Sequence, residues 1–151
     1  MYKRQEVDRE RFIRLAGDGL VAATPLGSTA YTLAAGGPML AAGTAGLVLT
    51  PLAPHGGVCP PLVTTPDNRV TISLDPGHSG ARMEIDGQVR APLERLRPVT
   101  FALRLQDGYA MLVMLGDQEP LVAGLRRRRI IIDSPRVLAR DDRASKTPAT
   151  G

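Results

Sequence analysis

The densest set of groups able to hold a small polar ligand lies in residues 17–38, Gly-Asp-Gly-Leu-Val-Ala-Ala-Thr-Pro-Leu-Gly-Ser-Thr-Ala-Tyr-Thr-Leu-Ala-Ala-Gly-Gly-Pro. One carboxylate, Asp18, sits in what reads as an acidic turn, Gly17-Asp18-Gly19. The apolar run 20–23 follows, then a Thr24-Pro25-Leu26-Gly27 loop and a helix start at Ser28. Such a loop presents backbone N–H groups and short hydroxyl side chains. Ser28 fits an N-cap, because its oxygen can accept from an orphan N–H of the first turn. Residues 29–35 then read as a short helix, ended by Gly36-Gly37-Pro38.

Other reactive residues argue against rival chemistries. His55 and His78 have no partners at metal-ligand spacing, and Cys59 is the only thiol, so a zinc site and an internal disulfide are both excluded. Between apolar and Pro neighbours, Cys59 reads as packed rather than catalytic. The run Arg126-Arg127-Arg128-Arg129 supplies much of the net charge of +4. A localised run of this kind reads as a solvated face, not a nucleic-acid surface. Aromatic residues make up 3% of the chain, too few to stack successive bases. The core must come from Leu, Val, Ile, Met and Ala. The charge-dense start, 2–14, does not read as a leader, and no apolar stretch approaches the roughly 20 residues of a membrane span. A soluble cytoplasmic protein without membrane or nucleic-acid partners is the expectation.

The elements that must position residues 17–38 are mostly strands. Residues 7–15 fit a helix start or an incoming strand, and 20–24 a buried strand. The run 47–50 is compact, apolar and stopped by Pro51. Residues 69–74 and 81–86 alternate with period two, and the turn 75–80 between them marks a hairpin. Asp86-Gly87-Gln88 makes a second tight turn. Residues 99–105 alternate, and Asp107-Gly108 turns them into 109–115. Residues 121–125 could form a helical turn, and 130–132 a last strand or a short buried stretch. The fold expected is mainly β: an antiparallel sandwich-like domain with one short helix after the Thr-Pro-x-Gly-Ser-Thr loop. It should occupy residues 1–139, with 140–151 a polar, disordered tail.

These motifs resemble the NAD kinase family, the ATP- or polyphosphate-dependent kinases of NAD. The family pattern is Asp-Gly, then Thr-Pro-x-Gly-Ser-Thr-Ala-Tyr, then a short helix into Gly-Gly-Pro. Here it reads Asp18-Gly19, residues 24–31 and Gly36-Gly37-Pro38. The similarity runs on through residues 49–55, Pro61-Leu62-Val63 and Ile85-Asp86-Gly87-Gln88, in order, over about residues 13–110. It corresponds to the family's carboxy-terminal β-rich domain. The family's amino-terminal motifs, Gly-Gly-Asp-Gly and Asn-Glu, occur nowhere in this sequence.

The resemblance implies NAD as substrate, with ATP or polyphosphate and Mg²⁺ needed only by the complete enzyme. It implies NAD binding by Asp18, Thr29, Ala30, Tyr31, Thr32, Leu33, Ala34, Ala53 and Gln88, with no catalytic residue and no metal ligand in this stretch. Asp18 would meet the nicotinamide–ribose side, and Thr29, Ala30 and Tyr31 the adenosine, while Leu33 also suits a pure core role. For Gln88 a solvated hairpin turn fits as well. The family commonly carries a basic residue two places before Asp18; Ala16 stands there instead, so phosphate or ribose meets no cation at that point unless Arg14 substitutes. A homo-oligomer, or a partner chain supplying the amino-terminal kinase domain, is implied. Three readings follow. The chain is the NAD-binding domain of an NAD kinase, inactive alone; or a truncated non-catalytic NAD(H)-binding or oligomerising paralogue; or a fragment with a misplaced start.

Overall fold

The computed structural model describes residues 1–41, 43–90, 92–106 and 121–146. They fall into two compact units, divided within residues 107–120, which lie outside the described residues. The hairpin expected at Asp107-Gly108 and its strand 109–115 therefore also lie outside them.

The first unit is mainly antiparallel β, as expected. It opens with a hairpin. Strand β1 (Tyr2–Val7) pairs with β2 (Glu10–Ala23), and Asp8 and Arg9 turn between them at φ 52° and 71°. Residues 7–15 are thus a tight turn and an incoming strand, not a helix start. Strand β2 is long enough to serve two partners: residues 10–16 pair with β1, and residues 17–23 pair with β3 (Leu47–Pro54). Strand β4 (Leu62–Thr64) continues beyond β3. On the other side β5 (Val70–Asp75) and β8 (Val99–Leu103) follow β1, giving the order β4-β3-β2-β1-β5-β8.

Strands β3 and β5 are separated by two strands in that order, yet Leu49 packs with Val70 and Ile72 in the core, joined by Leu20, Leu47, Leu62 and Leu103. The sheet must therefore curl over itself, as the sandwich expectation requires. Both faces of β3 are covered. Leu49 faces that core, while Val48 and Thr50, also fully buried, face the other way.

Several expectations need correction. Gly17-Asp18-Gly19 is not a turn; it lies inside β2. Pro51 does not stop β3, because only residues 47–49 of that strand carry β4 on their second side. Beyond them β3 has β2 alone as neighbour, so a missing N–H can face away from any ladder. No hairpin forms at 75–80, because β5 already has β1 and β8 on its two edges. There the Asp75 carboxylate accepts from Gly77 N at 2.9 Å, and Gly77 and Gly80 bend the chain at φ 61° and 76°. Of residues 81–86 only Glu84–Ile85 is a strand, β6, paired with β7 (Gln88–Val89) across Asp86 and Gly87 at φ 51° and 74°. That second tight turn is borne out.

The second unit holds α2 (Leu121–Arg127), where a helical turn was expected, and α3 (Pro135–Lys146). Residues 130–132 are neither strand nor buried, with Ile130 and Ile132 exposed. Helix α3 includes residues 140–146 of the expected tail. Its first turn starts at Ser134, whose carbonyl accepts from Val137 N and Leu138 N.

Candidate functional site

The Thr-Pro-x-Gly-Ser-Thr loop is built around a buried hydroxyl. Ser28 does not cap a helix as expected. It sits in a 3₁₀ turn (Gly27–Thr29), where its Oγ donates to Pro25 O at 2.6 Å and accepts from Leu40 N at 2.9 Å. One side chain thus ties the loop to the chain beyond Gly-Gly-Pro. The helix proper, α1 (Tyr31–Ala34), is a single turn ended by Gly36 at φ 80°. Gly37 N then donates to Thr32 O at 2.8 Å. A Cβ on Gly37 would stand 2.6 Å from Thr32 Cγ2 and collide with Thr50 Oγ1. Only Gly lets this turn lie on the Val48–Thr50 face of β3.

The two glycines around Asp18 do similar work on β2. A Cβ on Gly17 would lie 3.0 Å from the carbonyl oxygens of Leu52 and Ala53, and one on Gly19 would lie 2.6 Å from Leu52 Cδ1. The bare Gly17 lets the β3 backbone close against β2, and the bare Gly19 leaves room for the Leu52 side chain, with the Asp18 carboxylate at the rim. Ala53 adopts φ 41°, a left-handed backbone within β3 between Leu52 and Pro54, which pair with Gly19 and Gly17.

Between these elements opens a hollow of about 470 Å³, lined by Asp18, Tyr31, Ala34, Ala35, Pro51, Leu52 and Ala53. Its volume lies within the usual range for small-molecule sites, about 300–1,000 Å³. The wall is small and apolar, the Tyr31 ring is exposed, and Asp18 is its one charged group. The Asp18 side chain is 71% exposed, with Oδ1 3.4 Å from His55 Nε2. The fold thus gathers four of the nine residues expected to bind, Asp18, Tyr31, Ala34 and Ala53.

The other five lie elsewhere. Thr29 donates to Leu26 O at 3.1 Å, and Ala30 joins the two helical turns. Thr32 is fully buried behind the wall, its hydroxyl without a partner, and Leu33 is half-buried. Gln88 is exposed on β7, opposite Ile85, and does not line the hollow.

Ala16 and Arg14, alternate residues of β2 before Asp18, line a second and larger hollow of about 540 Å³ with Tyr2, Arg4, Ser73 and Asp75 among others. It holds none of the nine expected residues, so the smaller hollow is the candidate site. Sequence reasoning missed Pro51, Leu52, Ala35, His55 and Lys3. Lys3 is 2% exposed, and its Nζ donates to Gly17 O at 2.6 Å. Burial lowers its pKa, against the opposing pull of Asp18 and then Cys59. The Cys59 thiol is itself pushed up by burial, with Lys3 pulling it down. Inward alternation from the hairpin at Asp8-Arg9 was the one signal that could have found Lys3. Among the described residues no three His, Cys, Asp or Glu side chains come together as for a metal, and no helix is long and apolar enough to cross a membrane.

Comparison with known proteins places this geometry. The ATP-NAD kinase C-terminal domain model matches residues 2–102. The NAD kinase of Gemmatimonas aurantiaca is 42% identical over 83 residues, covering 55% of this chain and 29% of that protein. The NAD kinase of Aromatoleum aromaticum is 39% identical over 120 residues, covering 74% of this chain and 39% of that one. This chain thus spans well under half the length of these relatives. Among solved structures, yeast NADH kinase complexed with NADH superposes with a TM-score of 0.61 at 27% identity, over 70% of this chain and 30% of that one. An NAD kinase from Archaeoglobus fulgidus in complex with ATP shares the fold, with a TM-score of 0.54 at 23% identity over 70% of this chain and 39% of its own. With two thirds of its residues matched to that one domain model, the chain belongs to the NAD kinase family, as its C-terminal domain.

Proposed function

We propose that this chain binds NAD(H) in the hollow beside Asp18, and that it is the acceptor-binding domain of an enzyme that phosphorylates the NAD 2′-hydroxyl to make NADP. The observation that carries this reading is the meeting of Asp18, Tyr31, Ala34 and Ala53 around one hollow, although they come from three separate elements. Each suits its task. The carboxylate accepts hydrogen bonds from ribose hydroxyls or from the nicotinamide amide. The Tyr31 ring offers a flat apolar face. Ala34 and Ala53 let the ligand approach the backbone. Thr29, Ala30, Thr32 and Leu33 act behind this wall, holding the turn that carries Tyr31 and Ala34, and Gln88 reaches the dinucleotide from the β6–β7 hairpin.

Phosphoryl transfer depends on positioning and electrostatic stabilisation. In this reading the domain supplies positioning of the acceptor. The donor, ATP or polyphosphate, and its Mg²⁺ are held by the remainder of the enzyme, as a linked domain or a partner subunit. No described residues form a ligand set fit for that cation. The protein works in the cytoplasm, where its substrate is.

Titration calorimetry of the purified chain with NAD⁺ and NADH tests the reading. Saturable binding at micromolar concentration, weakened about tenfold or more in Asp18→Asn, is the expected outcome, since a hydrogen bond to a charged group contributes about 1.5–3 kcal/mol. Binding that Asp18→Asn leaves untouched removes the site. The same chain should form no NADP from NAD⁺ and ATP; measurable turnover would show that the phosphoryl-transfer groups lie within these residues.

A further inference from the structure

Lys3 is a buried cation that the binding reading leaves without a role. Lysine is almost never fully buried unless something holds it, because the ammonium loses its hydration. Here β1 points Lys3 inward beside Leu15 and Leu74, its register partners on β2 and β5. Its Nζ donates to Gly17 O at 2.6 Å. That carbonyl belongs to the peptide bond leading directly into Asp18. Lys3 is almost wholly buried and lines the larger hollow, whereas the exposed Asp18 carboxylate lines the smaller one. His55 Nε2 stands 3.4 Å from Asp18 Oδ1, and both side chains are largely exposed. Asp18 therefore feels the buried Lys3 ammonium, held on the carbonyl of the preceding residue, and has an imidazole beside it.

The two redox forms of a nicotinamide dinucleotide differ in one respect that such a charge can read. The oxidised ring is cationic and the reduced ring is neutral. A charge screened by solvent is felt weakly, but Lys3 acts through the protein, where the effective dielectric is far below that of water. A ligand seated in the hollow would also exclude the water that now screens Asp18. We propose that Lys3 is a specificity-determining positioning residue, whose buried ammonium beside the Gly17–Asp18 peptide offsets part of the pull of that carboxylate on a cationic ring and so shifts the preference toward the neutral, reduced dinucleotide. The inference rests on the reading of the Asp18 hollow as an NAD(H) site.

The test compares dissociation constants for NAD⁺ and NADH by calorimetry on the parental chain, Lys3→Gln and Lys3→Met. Gln keeps a donor for the Gly17 carbonyl and removes the charge; Met removes both. In both variants the preference should move about three- to tenfold toward NAD⁺, the size expected of one unit charge several ångströms away in a medium of intermediate dielectric. A purely structural Lys3 would weaken both ligands alike and leave the ratio unchanged; that result overturns the inference. Lys3→Met, an apolar side chain of similar length at a buried position, keeps the test open if Lys3→Gln does not fold. Binding of neither dinucleotide by the parental chain would instead remove the underlying reading and the inference with it.

Discussion

Gly37→Ala should loosen the fold and the hollow together. The added Cβ meets the hydroxyl of Thr50, stands 2.6 Å from Thr32 Cγ2, and lies 2.9 Å from Thr32 O. Two of these neighbours are fully buried side chains and the third is backbone, so no flexible end can swing aside. Overpacking a filled interior costs about 1–3 kcal/mol. Replacing Gly also restricts the unfolded chain, which returns about 0.4–1 kcal/mol. A net loss of about 1–2 kcal/mol is expected, or about 0.5–1 M in the urea midpoint for a typical small-domain slope. Relief of the clash must lift α1 from β3, so the wall formed by Tyr31, Ala34 and Ala35 shifts from that formed by Pro51, Leu52 and Ala53. NAD(H) affinity should fall severalfold. Gly36→Ala is the control. Gly36 sits at φ 80° with no heavy atom within 4 Å of its added Cβ. Its cost, about 1–2 kcal/mol of left-handed backbone strain, should leave affinity unchanged. Thr50→Ala in the Gly37→Ala background removes the worst clash and should restore part of the stability. A Gly37→Ala chain as stable as the parent, with unaltered affinity, would refute the close packing of α1 on β3.

Three further outcomes are expected. Gln5 is 1% exposed, faces Ile13 and Ile72 across its two partner strands, and has an unpartnered Nε2, so Gln5→Met should raise stability by about 1 kcal/mol in urea melts. The Asp8 carboxylate accepts from Arg69 N and from the Asn68 amide, which hold its pKa below the usual carboxylate value. Its contribution to folding is therefore complete above the unfolded-state pKa near 3.9 and is lost as pH falls through the lower native value. Asp8→Asn, tolerated at φ 52°, should flatten the acid limb of the stability–pH curve measured by thermal melts. Ala34→Phe, on the exposed wall of the hollow, should abolish NAD(H) binding in calorimetry while shifting the urea midpoint little.

The parts of this fold legible in the sequence were those with local causes. The Asp86-Gly87 turn follows from two residues that accept left-handed backbone, and Gly36 ends α1 for the same reason. What escaped depends on neighbours distant in sequence. The glycines at 17 and 19 look like turn residues, yet they are there because β3 passes within van der Waals distance of them. Ser28 looks like a helix cap, yet its hydroxyl serves Leu40, twelve residues on. The period-two pattern at 81–86 gave no hint that β5 would already be paired on both edges. Asp18, Tyr31, Ala34 and Ala53 could be named from motif order alone, whereas Pro51 and Leu52 become wall residues only through the register that sets Leu20 against Pro51 and Gly19 against Leu52.

That register also explains why the hollow exists at all. A side chain at 17 would press on the β3 backbone and one at 19 would displace the Leu52 side chain, so the Pro51–Ala53 wall would shift from Asp18. A side chain at 37 would push α1 away, and the Tyr31–Ala35 wall would retreat in turn. Positions 17 and 37, without side chains, thus bring three elements together, position 19 makes room for Leu52, and the space left between their small residues is the hollow. The site is made by close packing around it, so its shape should respond to substitutions at these glycines more than to changes among the exposed residues that line it.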